Sequence, residues 1–177
     1  MATKRIAVTI KGMGGLLMHR FPLEPVEALD KKTPAEQAEI ASYRTPSGKL
    51  YIPGVAIQRA LVNGATFSKG KGRASLQKPV AACVIVNEEY IETSPQEYTV
   101  DSRPVVIAAT KGRIVRHRPR LDNWEVSFSV DFDDTLLKED ELRRVFDDTG
   151  SRVGLLDFRP EKKGPFGRFV VTSWKTA

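Results

Sequence analysis

Arg159, Lys162, Lys163 and Arg168 lie among three glycines and three phenylalanines in the stretch "GLLDFRPEKKGPFGRF", residues 154–169. Guanidinium forks bind phosphate oxygens, amides beside Gly154, Gly164 and Gly167 can cradle an anion, and Phe158 or Phe166 offers a ring for stacking. The same residues also describe a Gly-Pro turn feeding a strand, with Phe166 and Phe169 in the core. The lone carboxylate, Asp157, suits ordering Arg159 or capping backbone amides better than acting as a base.

Two further sets of cations lie in acid-free stretches. From Glu39 to Glu88 no acidic residue intervenes, and Arg59, Lys69, Lys71 and Arg73 fall inside that window. Arg103, Lys111, Arg113, Arg116, Arg118 and Arg120 precede Asp122 in a second one. The acids gather elsewhere, from Asp131 to Asp148, so a net charge of +6 is spread as a positive side and a negative side. A polyanion-binding face follows from that segregation; a solvated surface with chance clustering is the plainer account.

Catalytic chemistry has less to stand on. His19 and His117 are the only histidines, so no histidine cluster can hold a metal. Cys83 lies in the apolar run "VAACVIV", which reads as a buried strand, and nothing near it in sequence would activate the thiol. Asp131, Asp133 and Asp134 could coordinate Mg²⁺, although acids between a strand and a helix commonly serve turns and caps. A single cysteine excludes a disulfide framework and fits a reducing cytoplasm. No apolar run reaches the ~20 residues needed to span a bilayer, and the N-terminal apolar run reads as a strand, not a signal peptide.

The elements that must position these residues follow from periodicity. Ile6, Val8 and Ile10 alternate as in a strand. "GMGGLLMHRFP" reads as a flexible connection. Thr33, Pro34 and Glu36 form a capping box for a short helix, and Ser47-Gly48 makes a turn. Ile57, Ala60, Leu61, Gly64 and Ala65 mark a helix after Pro53, whose small residues let it lie against a sheet. Residues 79–86 read as a strand that Tyr90–Glu92 extends or pairs with. "RPVVIAA" and "RIVRHRP" flank "TKG" as a hairpin, which could present its arginines on one face. Trp124, Val126, Phe128, Val130 and Phe132 alternate with polar residues in the clearest strand signal. A helix over 138–149 buries Leu142, Val145 and Phe146, with Leu137 stapled to Leu142, Gly150 as its C-cap, and no local gain for Asp147 and Asp148 at its C-terminal end. "RFVVTSW" is the last strand.

Without the insertions, at about 12–50 and 95–122, the order is strand, helix, strand, strand, helix, strand. That is an α+β, ferredoxin-like (RRM-like) βαββαβ core in one domain. A standard RNA-recognition sheet is disfavoured, because Glu125, Ser127, Ser129 and Asp131 occupy the open face of the best strand without stacking aromatics. Any nucleic acid should follow loops, hairpin and helix.

"LYIPGVAIQRAL" resembles the helix-opening segment of the repeat-associated mysterious protein (RAMP) superfamily, which supplies backbone subunits of CRISPR effector complexes. "VGLLDFRPEKKGPFGRFVV" is similar to the glycine-rich loop of those proteins, and the hairpin of residues 103–120 stands where they carry a thumb. Small phage-encoded proteins with similar "GDFRP…GPFGRF" endings are a further resemblance. The chain departs from the pattern in having Ile57-Gln58 where Leu-Lys is usual, fewer loop glycines, and a short length. The resemblance implies a non-catalytic protein, read with no cofactor and, from its single cysteine, as cytoplasmic. It would bind single-stranded RNA or DNA without sequence preference and assemble side by side along the strand. The endonuclease branch's general-base histidine has no match. The expected contacts are Arg59, Lys69, Lys71, Arg73, Arg103, Lys111, Arg113, Arg116, Arg118, Arg120, Phe158, Arg159, Lys162, Lys163 and Arg168. A metal-dependent nuclease built on Asp131, Asp133 and Asp134, and an assembly protein whose basic face meets another protein, remain as alternatives.

Overall fold

A computed structural model describes residues 3–23 and 29–177. The chain is an α+β protein with antiparallel sheets. In chain order its strands and helices are β1 (Thr3–Gly12), β2 (Leu16–Leu17), α1 (Pro34–Ala41), β3 (Tyr51–Pro53), α2 (Gly54–Gly64), α3 (Gln77–Cys83), β4 (Ile85–Val86), β5 (Tyr90–Glu92), β6 (Thr99–Val106), β7 (Arg113–Leu121), β8 (Glu125–Asp133), α4 (Glu139–Asp148) and β9 (Phe169–Thr176).

The main sheet runs β4-β8-β1-β9. Ile6, Val8 and Ile10 of β1 lie opposite Val130, Phe128 and Val126 of β8, so both strands bury the same face. Phe146 of α4 stacks on Phe128 at 6.1 Å and meets Trp174 of β9 edge-on at 5.3 Å. Arg5, Thr9, Lys11, Glu125, Ser127 and Asp131 line the other face, with Arg5 holding Asp131 at 2.7 Å. The alternation read from the sequence thus decides which face is dry. Leu137 and Leu142 are fully buried at the start of α4, as the staple requires.

The α1 capping box forms as expected: Glu36 N–H donates to Thr33 Oγ1 and Thr33 N–H to Glu36 Oε2. Five sequence readings are corrected. Residues 77–83 are helical, so Cys83 ends α3 and the strand after it shrinks to Ile85–Val86. Pro79 sits in the first turn of α3, where its missing N–H removes no helical bond, and Gln77, Lys78, Ala81 and Ala82 suit the helix that docks against β8 and α2. Tyr90–Glu92 pairs with β3, not with the strand before it. "GMGGLLMHRFP" is not a free connection: Leu16 and Leu17 pair with Leu121 and Arg120, and Leu16 to Met18 are fully buried. Gly150 does not cap α4; the helix widens into a π turn over Thr149–Val153, and the positive φ falls at Gly154. Gly64 packs against Thr149 at the end of α4, where a Cβ would stand 2.0 Å from the Thr149 hydroxyl, so the small residue serves a helix–helix approach.

Asp147 and Asp148 do find local partners. Arg143 pairs with Asp147, while Arg152 and the Ser68 hydroxyl engage Asp148.

β6 and β7 form the inserted hairpin, joined to β2 in a three-stranded sheet. α1 packs against both hairpin strands, so the two insertions support each other. Among the described residues no helix is long and apolar enough to cross a membrane.

Candidate nucleic-acid interface

The loop that follows the π turn folds back on itself. Leu155 N–H donates to Gly167 O, Gly164 N–H to Arg159 O, Phe166 N–H to Phe158 O, and Lys162 and Lys163 N–H to Arg159 and Pro160 O. Asp157 N–H reaches Leu17 O and Gly167 N–H reaches Gly15 O. Gly167 has φ +81°, and a Cβ there would meet Leu155 O at 2.0 Å, so glycine is what lets the two ends of the loop touch. The expectation that freed amides cradle a phosphate is therefore corrected for Gly164 and Gly167, whose N–H groups are taken up by Arg159 O and Gly15 O.

The hairpin is fastened to this loop by arginines expected at the ligand. Cross-strand register places Arg103 opposite Arg116, Asp101 opposite Arg118 and Thr99 opposite Arg120, so these four arginines share one face while Arg113 lies on the other. Arg118 is 5% exposed and pairs with Asp157. Arg103 chelates Asp101 at 2.7 and 3.1 Å and lies 4.7 Å over the Phe166 ring. Arg120 lies 5.3 Å over the same ring and pairs with Asp122. Phe166 is buried, and the Phe158 ring has Arg103 above it at 5.9 Å. Neither phenylalanine is the open stacking platform expected from the sequence, and Arg118 is not a surface cation.

Asp157 is the hub of this junction, but it orders Arg118 and not Arg159. His19 Nδ1 stands 3.4 Å from its carboxylate. Burial pushes the Asp157 carboxyl up, but hydrogen bonds from His19 and Arg118 and the Arg118 charge outweigh that and hold it at about 2. Arg159 instead reaches Glu161 at 3.2 Å and Leu156 O at 2.7 Å.

A pocket of about 240 Å³ opens where this loop meets α2. Ala56, Arg59, Ala60 and Asn63 recur at helical spacing along one wall; Gly154 to Asp157, Arg159 and Glu161 form the other, with His19 and Tyr43 beside them. Asn63 donates to Glu161 at 3.1 Å, which ties the walls together. Within the pocket Glu161 and Asp157 are each matched by an arginine, which leaves Arg59 as the surplus charge. His19 and Tyr43 were missed from the sequence. Only the fold of the 16–20 segment brings His19 here, and no local pattern around it announces that.

The remaining expected cations are exposed, and no ion pair engages them among the described residues: Lys69, Lys71 and Arg73 after α2, Lys111 and Arg113 on the distal hairpin, and Lys162, Lys163 and Arg168 on the loop. Arg116 is half-buried. Asp131, Asp133 and Asp134 do not converge. Arg5 holds the first, Thr135 donates to the second, and Lys4 pairs with the third. Among the described residues no three acidic, histidine or cysteine side chains are placed to share a metal ion.

No protein-family model matches this chain, and a search of curated proteins finds no significant match.

Proposed function

We propose that this chain is a non-catalytic, single-stranded nucleic-acid-binding protein of RAMP-like type that holds the strand's backbone between α2 and the 154–168 loop. The observation that carries this reading is the shared pocket. Arg59 of α2 and Arg159 of the loop, from the two segments whose sequences resemble that superfamily, line the same cleft. Exposed cations are also present on the same loop, at Lys162, Lys163 and Arg168, and on the distal hairpin, at Lys111 and Arg113. Backbone binding without base preference is what lysines and arginines on flexible surface segments supply.

The ferredoxin-like part of the reading is supported by strand order. Along the chain β1, α2, β4, β8, α4 and β9 follow as strand, helix, strand, strand, helix, strand, and the sheet order β4-β8-β1-β9 is compatible with a split βαβ arrangement. The hairpin enters between β4 and β8, where the thumb of those proteins would stand. Its distal part carries Val106, 62% exposed, and Val115, 54% exposed, beside Lys111 and Arg113. That mixed apolar and basic tip suits contact with an adjacent copy on the strand.

The test is fluorescence anisotropy with single-stranded RNA, single-stranded DNA and duplex over a salt series, with a cleavage gel run with and without Mg²⁺. If about five phosphates are neutralised, the log–log salt slope for a single strand is about −3 to −4. A slope near zero removes the electrostatic reading, and Mg²⁺-dependent cleavage removes the non-catalytic one.

A further inference from the structure

A second cavity, of about 300 Å³, lies on the α1 side of the hairpin. Phe21, Pro22, Leu29, Ile40 and Ala41 give it an apolar wall, and Gln37, Arg20, Arg116 and His117 supply its polar rim. No carboxylate lines it among the described residues. The α1 acids point elsewhere: Glu36 is used in the capping box and Glu39 is held by Arg44. Phe21 is 84% exposed although it lines an apolar cavity, an arrangement that leaves its ring largely uncovered by the described residues. Gln37 donates one amide hydrogen to Lys32 O at 3.0 Å, which fixes its head group while its oxygen has no partner among the described residues.

We infer that this cavity takes one unstacked nucleobase of the bound strand, with the Phe21 ring against the base face and the Gln37 amide at its edge. The inference rests on the strand-binding reading and adds to it a contact with the base. Three features select this occupant. An apolar slot with an exposed aromatic at its mouth fits a planar ring. A rim with arginines and, among the described residues, no acid tolerates the phosphate that travels with the base. His19 lines both this cavity and the α2 pocket, so the two open on either side of one residue and neighbouring groups of one strand can reach both. The base supplies a π-face whatever its identity, so a single slot of this kind gives affinity with little sequence preference.

The experiment compares a thymidine oligonucleotide with a fully abasic strand of the same length and charge. Stacking in the slot should make the wild-type protein bind the abasic strand about 5- to 150-fold more weakly. Phe21→Ala should bring that ratio close to one with little change in affinity for the abasic strand, and Phe21→Trp should keep it. Ile40→Trp, which fills the slot from α1, should act like Phe21→Ala; thermal melting shows whether each variant is folded. Arg59→Ala should weaken both strands and leave the ratio intact. Equal wild-type affinity for the two strands, or a ratio that survives both Phe21→Ala and Ile40→Trp, overturns the base slot while backbone binding stands. Failure to bind either strand removes the strand-binding reading itself.

Discussion

Arg118 of the hairpin and Asp157 of the loop ahead of β9 form a largely buried ion pair, and with it the inserted hairpin is locked to the core. Arg118 Nε has no hydrogen-bond partner among the described residues, so its charge depends heavily on this one carboxylate.

Removing that carboxylate should therefore cost more than an ordinary surface ion pair. Asp157→Asn leaves a buried guanidinium without its counter-charge, and we expect a loss of about 3–5 kcal/mol in chemical denaturation. Arg118→Met, which fills similar volume without a charge, should cost less. Equal, small effects from both substitutions would mean that the pair is solvated and the hairpin is held by other contacts.

The same carboxylate predicts an acid limb. Its folded-state pKa of about 2 lies below the ordinary value of 3.8, so its contribution is fully present above about pH 4 and is lost as the pH falls from there towards 2. The shift corresponds to about 2 kcal/mol. Asp131 beside Arg5 and Glu39 beside Arg44 are also held low and add to the limb. Stability measured against pH should fall less steeply below pH 4 in Asp157→Asn than in the wild type; superimposable slopes would contradict the assignment.

The arginines divide into fasteners and free cations, and binding should divide them the same way. Lys111→Ala with Arg113→Ala, or Lys162→Ala with Lys163→Ala, should reduce the salt slope by about one to two without lowering the melting temperature. Arg103→Ala removes the cation over Phe166, and a loss of about 0.5–2 kcal/mol in stability is expected. If Arg103→Ala changes the salt slope and leaves stability untouched, its place as a fastener is wrong.

Gln58 closes the edge of β4. Its amide donates to Val84 O at 2.8 Å and accepts from Val86 N–H at 2.9 Å, as a neighbouring strand would. Gln58→Ala should destabilise by about 1–3 kcal/mol and favour association through the opened edge beside exposed Ile85. Light scattering over a concentration series reads the second effect, and a variant that stays as monodisperse as the wild type would count against it.

Deleting residues 106–116 and bridging with Gly-Ser should leave Arg103, Arg118 and Arg120 in place and the core folded, because the fasteners lie at the hairpin base. Binding to a one-site oligonucleotide should weaken modestly, while the cooperative steepness on a long strand should disappear. Unchanged steepness would show that the distal hairpin does not bridge copies.

What the sequence determined by itself was whatever depends on neighbours within a few residues. The alternation of Val126, Phe128, Val130 and Phe132 decided the dry face of the sheet, the Thr33–Glu36 box decided where α1 begins, and the spacing of Ile57, Ala60 and Leu61 decided the face of α2. Short segments without a long repeat were decided by packing: residues 79–86 read as one apolar strand, yet Gln77–Cys83 is a helix docked on α2 and β8. The site divided along the same line. Composition showed that arginines crowd the hairpin and the last loop, but charge in a sequence carries no information about its counter-charge. Only the tertiary structure brought Asp157 to Arg118 and Phe166 beneath Arg103, turning expected ligand contacts into struts, and only it placed His19 and Tyr43 beside Arg59. The physical reason is that pairing and burial are properties of distance in space, and those partners lie far apart along the chain.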